Sequence, residues 1–131
     1  MMVDLKPEIL LAMRNSAVLS TILGRDKNGR VKVYPETVPE YDKAPITEPY
    51  ITFFELTNFD DFFTDDQAEG SEIHFQIDIW TKGNTSPLAK EVDRVMKELE
   101  FSRTGSGDLY ENDTQTYHKA LRYKTFRMIE E

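Results

Sequence analysis

Apolar residues recur along this chain in two rhythms, and the switches between them set the order of elements. Leu5, Ile9, Ala12 and Met13 fall on one face of a helix, with Asp4 suited to cap it and Pro7 tolerated in its first turn. Asn15-Ser16 interrupts that helix. Val18, Leu19, Ile22 and Leu23 then form a second short apolar turn, and Gly24 suits a left-handed stop, so the spacing predicts one helix with a broken or bent C-terminal half. The turn Asp26-Lys27-Asn28-Gly29-Arg30 precedes a short β-branched run, Val31-Lys32-Val33-Tyr34, which reads as an edge strand ending at Pro35. Pro35, Pro39, Pro45 and Pro49 deny the backbone the donors of a central element, which makes residues 35–49 an ordered surface loop.

Residues 50–57 are rich in aromatic and β-branched side chains and read as a strand. Residues 72–81 give the strongest strand pattern, because Ile73, Phe75, Ile77 and Ile79 alternate with Glu72, His74, Gln76 and Asp78. Ser86 then suits the cap and Pro87 the first position of a helix in which Leu88, Val92, Val95, Met96 and Leu99 form one apolar stripe. Two more strands follow: a glycine-containing segment, Thr104-Gly105-Ser106-Gly107, leads to Leu109-Tyr110, and an extended run covers residues 116–129. Both faces of this last strand are mixed, which predicts partial burial on both sides. The expected fold is α+β: a mainly antiparallel sheet of four to five strands, two helices packed on one face, and a long hairpin loop between the two central strands.

Length places these elements in a single domain spanning residues 1–131. The net charge of −8 repels phosphate backbones, so nucleic-acid binding is not expected. The chain contains no cysteine, which removes disulfides, thiolate zinc sites and a cysteine nucleophile. The first residues lack the apolar core of a signal peptide and nowhere do 18 apolar residues run together, so the expectation is a soluble, cytoplasmic protein with no membrane partner.

The predicted hairpin loop, NFDDFFTDDQAEG at residues 58–70, carries five carboxylates and three phenylalanines without a basic residue. A calcium loop of the EF-hand type needs acids at its first, third and fifth positions, glycine sixth and glutamate twelfth. Starting at Asp61 puts Phe63 third and Asp66 sixth, and starting at Asp65 puts Gln76 twelfth, so both registers fail. The stretch reads either as a solvated hairpin tip or as a partner-docking loop, since exposed phenylalanines among charges are typical of interface anchors. His74 and His118 lie inside strands, where side chains four positions apart are separated by roughly 13 Å, so His74 and Asp78 cannot form a catalytic pair on their own. Gly105-Ser106-Gly107 reads as a flexible turn. No catalytic, metal or cofactor residues are assigned and no enzymatic activity is expected; a ligand-binding pocket built from His74, Asp78 and the loop acids is the alternative.

Charge is segregated along the chain. Residues 58–76 hold six acids and no Lys or Arg, whereas Lys119, Arg122, Lys124 and Arg127 follow one another with no acid between Thr114 and Met128. These could pair within one molecule, or join neighbouring copies head to tail. The candidate partner-binding residues are therefore Phe59, Asp60, Asp61, Phe62, Phe63, Asp65 and Asp66, with Lys119, Arg122, Lys124 and Arg127.

The order of landmarks resembles a known family. A helix from Asp4-Leu5-Lys6-Pro7 ends Leu19-Ser20-Thr21-Ile22-Leu23-Gly24, and Val31-Lys32-Val33-Tyr34-Pro35 and Pro49-Tyr50-Ile51 follow. Then come Phe75-Gln76-Ile77-Asp78-Ile79-Trp80, the 88–99 helix, and His118-Lys119-Ala120-Leu121-Arg122-Tyr123. This resembles the small tail-completion proteins of long-tailed phages and prophages, also described as tail terminator or tail-to-head joining proteins. The resemblance implies an α+β fold and a structural virion protein that works as a subunit of a ring, commonly of six copies, at the head-proximal end of the tail tube. It also implies contacts with the tube protein and a head-completion protein, assembly in the host cytoplasm, and no catalytic residues. A neighbouring neck or minor tail protein is the related alternative.

Overall fold

In the structure, a computed structural model, residues 2–38, 48–64 and 67–128 are described, without the side chains of Phe62 and Ala68. Pro39, Pro45, Asp65, Asp66 and Ile129 lie outside the described residues. The chain runs through α1 (Lys6–Arg14), α2 (Ala17–Ile22), β1 (Val33–Pro35), β2 (Tyr50–Thr64), β3 (Gln67–Thr81), α3 (Ser86–Glu98), β4 (Ser102–Glu111) and β5 (Thr116–Met128). The strands form one five-stranded sheet in the order β1-β2-β3-β5-β4. Only the short β1 pairs in parallel, with β2; the other contacts are antiparallel, as expected for an α+β fold.

β3 lies at the centre, and its alternation decides the architecture. Ile73, Phe75, Ile77 and Ile79 are all fully buried, beneath the α3 residues Leu88, Val92, Val95 and Met96. Ile9 and Met13 of α1, Leu19 of α2, Ile51 and Phe53 of β2, and Leu121 and Tyr123 of β5 complete the same core. All three helices therefore lie on one face of the sheet. β4 adds no side chain to this core.

Helix ends show where local chemistry differs from the sequence expectation. The predicted break at Ser16 is a new helix start, because the Ser16 hydroxyl accepts the Leu19 N–H at 3.2 Å. Asp4 lies one residue before the α1 cap position and accepts the Lys6 N–H at 3.2 Å. At α3, Ser86 is the first helical residue rather than the cap, and Asn84 Oδ1 accepts its N–H at 3.0 Å. α3 ends with Phe101 N–H donating to the Met96 carbonyl and Glu100 N–H to the Lys97 carbonyl, a Schellman closure in which Glu100 takes the left-handed conformation at φ 67°. Gly24 is not the predicted left-handed stop, since Leu23 leaves α2 extended. Its value is close approach: a Cβ there would stand 2.6 Å from the Glu48 Cβ, while the Gly24 N–H donates to the Pro49 carbonyl.

Polar links fasten the helix layer. Buried Glu91 accepts the Ser16 hydroxyl and two Arg94 N–H groups, so α3 holds the start of α2. Hydrogen bonds from Arg94, chiefly, hold the Glu91 carboxyl below its ordinary range against the effect of burial. The Tyr123 hydroxyl, rising from the core, donates to Asp93 at 2.9 Å. Burial alone would raise the Asp93 carboxyl, but hydrogen bonds from Lys97 and Tyr123 and the charge of Arg103 bring it below its usual value.

Two outcomes follow from this layer. Gly24→Ala must displace the 48–49 backbone and is expected to cost about 1–3 kcal/mol of stability, measurable by urea denaturation. Glu91 and Asp93 are more acidic folded than unfolded, so their contribution is present above the unfolded carboxyl pKa of about 4 and is lost as pH falls through the folded values. Unfolding free energy should hold steady from pH 7 to 5 and decline below about 4, and Glu91→Gln with Asp93→Asn should flatten that decline. An equally steep acid limb in the double variant would show that the acid sensitivity lies elsewhere.

Candidate interaction surface

The face of the sheet turned away from the helices carries the side chains that alternate with the core. On β3 these are Glu72, His74, Gln76, Asp78 and Trp80; their β5 partners are Phe126, Lys124, Arg122, Ala120 and His118. The register thus lays aromatic, acidic and basic groups side by side across strands.

At one end the face is closed by rings. Tyr50, Trp80 and His118 stack across β2, β3 and β5, with centroid separations of 5.8 and 3.9 Å. Trp80 Nε1 donates to Thr52 Oγ1 at 3.0 Å, and His118 Nε2 lies 2.6 Å from Asp78 Oδ1. His74 Nε2 lies 2.9 Å from Glu72 Oε2 instead. The two histidines therefore have different carboxylate partners, and among the described residues His74 and Asp78 join no common cluster with the acids of the arm. Among the described residues no group of three or more His, Asp or Glu side chains could hold a metal ion.

The other end is open and apolar. Glu55 pairs with Phe75 but Thr57 pairs with His74, so Leu56 is the extra residue of a β-bulge. The bulge shifts the parity of β2. Thr57, Phe59, Asp61 and Phe63 come onto the open face, while Asn58 turns to the helix side, where its Nδ2 donates to the Val3 carbonyl at 2.8 Å. Phe59 then stands across Glu72 from Phe126, and Met128 lies beside Gly70. All four apolar side chains are exposed: Phe59 46%, Phe63 63%, Phe126 45% and Met128 60%. A cluster of this kind is characteristic of interfaces.

The acidic stretch expected as a loop is mostly strand. Pairing continues through Phe59↔Glu72, Asp60↔Ser71 and Asp61↔Gly70 to Thr64↔Gln67, so β2 and β3 form one long arm. Acids are tolerated because the arm is solvated beyond the core, and the backbone ladder does not depend on side-chain polarity. Asp60 and Glu69 are exposed on this arm. Of the other candidates there, Asp65 and Asp66 lie outside the described residues, as does the Phe62 side chain.

The four basic candidates do not share a surface. Lys119 and Arg127 lie on the helix side, Lys119 paired with Asp108 at 3.0 Å and Arg127 donating to the Leu99 carbonyl, 3.5 Å from Glu8 and over the Phe101 ring. Arg122 and Lys124 lie on the open face, where Arg122 donates to Gln76 at 3.0 Å and Lys124 stands 5.8 Å over Phe126.

The first of the two strands expected after α3 is β4, longer than the segment that suggested it. The predicted flexible glycine turn lies inside this strand, with a bulge between Arg103 and Gly105, and β4 is exposed along almost its whole length. A Cβ at Gly105 or Gly107 would meet nothing within 4 Å, so this edge strand is open on the face turned away from the helices. Alternating Leu109-Tyr110 before the turn was the available signal.

The described residues thus form an α+β sheet with helices on one face, an exposed apolar cluster at one end of the other, and an exposed edge strand. The family model described as "Tail completion protein gp17" matches residues 7–127, and the chain belongs to this family. It is a phage tail structural protein and a virion component. A solved structure described as the virion of a native gene transfer agent particle contains a chain with the same fold, at TM-score 0.57 and 12% identity over 92% of each chain. No curated protein matches the sequence. No helix among the described residues is long and apolar enough to cross a membrane.

If the arm phenylalanines are surface groups, Phe63→Ser should change unfolding free energy by no more than about 0.5 kcal/mol. Phe53→Ala in the core should cost about 3–5 kcal/mol by the same measurement. A comparable loss at Phe63 would return that ring to a structural role.

Proposed function

We propose that this chain terminates the phage tail tube and joins tail to head as one subunit of a ring, six copies when assembled. The observation that carries the reading is the uncovered sheet face, which in a tail-completion family member exposes Phe59, Phe63, Phe126 and Met128 with no core left to bury them. Its partners are its own copies, the tail tube protein and a head-completion protein. The net charge of −8 argues against the packaged nucleic acid as a partner. Its chemistry is interface formation, with no substrate turned over. It works at the head-proximal end of the tail, after assembly in the host cytoplasm.

The test is complementation of a phage lacking this protein. Phe59→Ser with Phe63→Ser should leave the purified chain folded, as judged by its melting transition, yet yield heads and tails that remain separate in electron micrographs. Full-length, head-joined tails in particles lacking the protein altogether would refute the joining role.

A further inference from the structure

The acidic arm has a counterpart of opposite charge outside β5. Residues 25–32 contain Arg25, Lys27, Arg30 and Lys32, with Asp26 as the one acid. Asp26 is 7% exposed, and its carboxylate is committed to the turn itself. One oxygen accepts the Asn28 and Arg30 N–H groups at 2.8 and 3.0 Å, and the other accepts Arg30 Nε at 3.3 Å. Gly29 at φ 78° lets the turn close, with its N–H donating to the Asp26 carbonyl. The result is a well-braced turn whose anion is sunk at its base, leaving Arg25, Lys27 and Arg30 exposed around it.

The turn and the arm lie at opposite ends of β2. The Lys32 carbonyl accepts the Ile51 N–H and the Lys32 N–H donates to the Gly24 carbonyl, so the turn is fastened where β2 begins. The arm ends at Thr64, roughly 40 Å further along an extended strand. Oppositely charged ends that far apart cannot satisfy each other within one molecule. The cations of the turn have bonds of their own, Arg25 to Ser20 and Arg30 to Asp26, yet stay exposed, whereas Lys119 and Arg127 of β5 are half-buried against Asp108 and the Leu99 carbonyl, which makes β5 the weaker counterpart.

We infer that the acidic β2–β3 arm of one copy docks on the basic 25–32 turn of the next. The contact is heterologous: each copy donates an arm at one end and accepts one at the other, and such a repeat closes into a ring when its rotation permits. Asp60 and Glu69 lie on the helix-side surface of the arm, opposite the one that carries Phe59 and Phe63. An acid-mediated contact between copies therefore leaves the phenylalanines available to other tail components. This inference rests on the ring reading and names the two surfaces that hold neighbours together.

Zero-length carbodiimide coupling of assembled wild-type protein, mixed from 15N-labelled and unlabelled chains, should join Asp60 or Glu69 of one isotope to Lys27 or Lys32 of the other. Arg25→Glu with Lys27→Glu, and separately Asp60→Lys with Glu69→Lys, should each weaken self-association about tenfold or more, and an equimolar mixture of the two variants should regain it. Links from the arm to Lys90 or Lys97 instead, or reversals that leave association unchanged, would overturn the docking; so would a mixture that fails to recover. Native mass spectrometry scores the ring separately. Hexamers that persist in both reversed variants sink the arm-to-turn contact alone, whereas a wild-type chain that stays monomeric even with tail tubes present sinks the ring as well.

Discussion

The burial of Ile73, Phe75, Ile77 and Ile79 beneath the apolar stripe of α3 is the contact on which the other features depend. Each such side chain, removed from water, contributes about 1.5–3 kcal/mol, and these four stand on one strand at the centre of the sheet. Their alternation sends Glu72, His74, Gln76 and Asp78 to the opposite face. α1 and α2 join the same core as α3, so no helix remains for that second face. The open surface is thus a direct result of how the core is filled.

That division separates stability from contact. The core and the links at Glu91 and Asp93 lie on the helix side, while the apolar cluster of Phe59, Phe63, Phe126 and Met128 lies on the other. Side chains at one surface can change with little effect on the other, because β3 stands between them. The exposed apolar residues are therefore not the ones that fold the protein.

The central fold was legible because its patterns are strict. Alternation over residues 72–79 and the stripe from Leu88 to Leu99 each admit one arrangement, and both are found as expected. The arm was not legible as strand, since its acids imitate a loop while the backbone pairing that makes it a strand depends on β3. Nor could alternation place Phe59, because the Leu56 bulge shifts every later residue of β2 by one. β4 was legible as a strand from Leu109-Tyr110, but its Gly105-Ser106-Gly107 segment imitated a turn, because a neighbouring strand holds extended what the glycines' own preference does not. The fate of the basic residues was decided by distant neighbours: Lys119 and Arg127 find Asp108 and Leu99 only once the sheet has formed.

The long β2–β3 pairing also grades the molecule's resistance to local opening. At Phe53↔Ile77 both side chains are fully buried, and separating the strands there means unfolding the protein. Beyond Asp61↔Gly70, where β3 no longer pairs with β5, the described side chains of the hairpin are exposed, and parting the strands there costs far less. Amide hydrogens along a single hairpin thus span the range from globally protected to nearly free exchange. Conformational entropy that the end of the arm retains in the free chain is thus no part of the cost of folding the core.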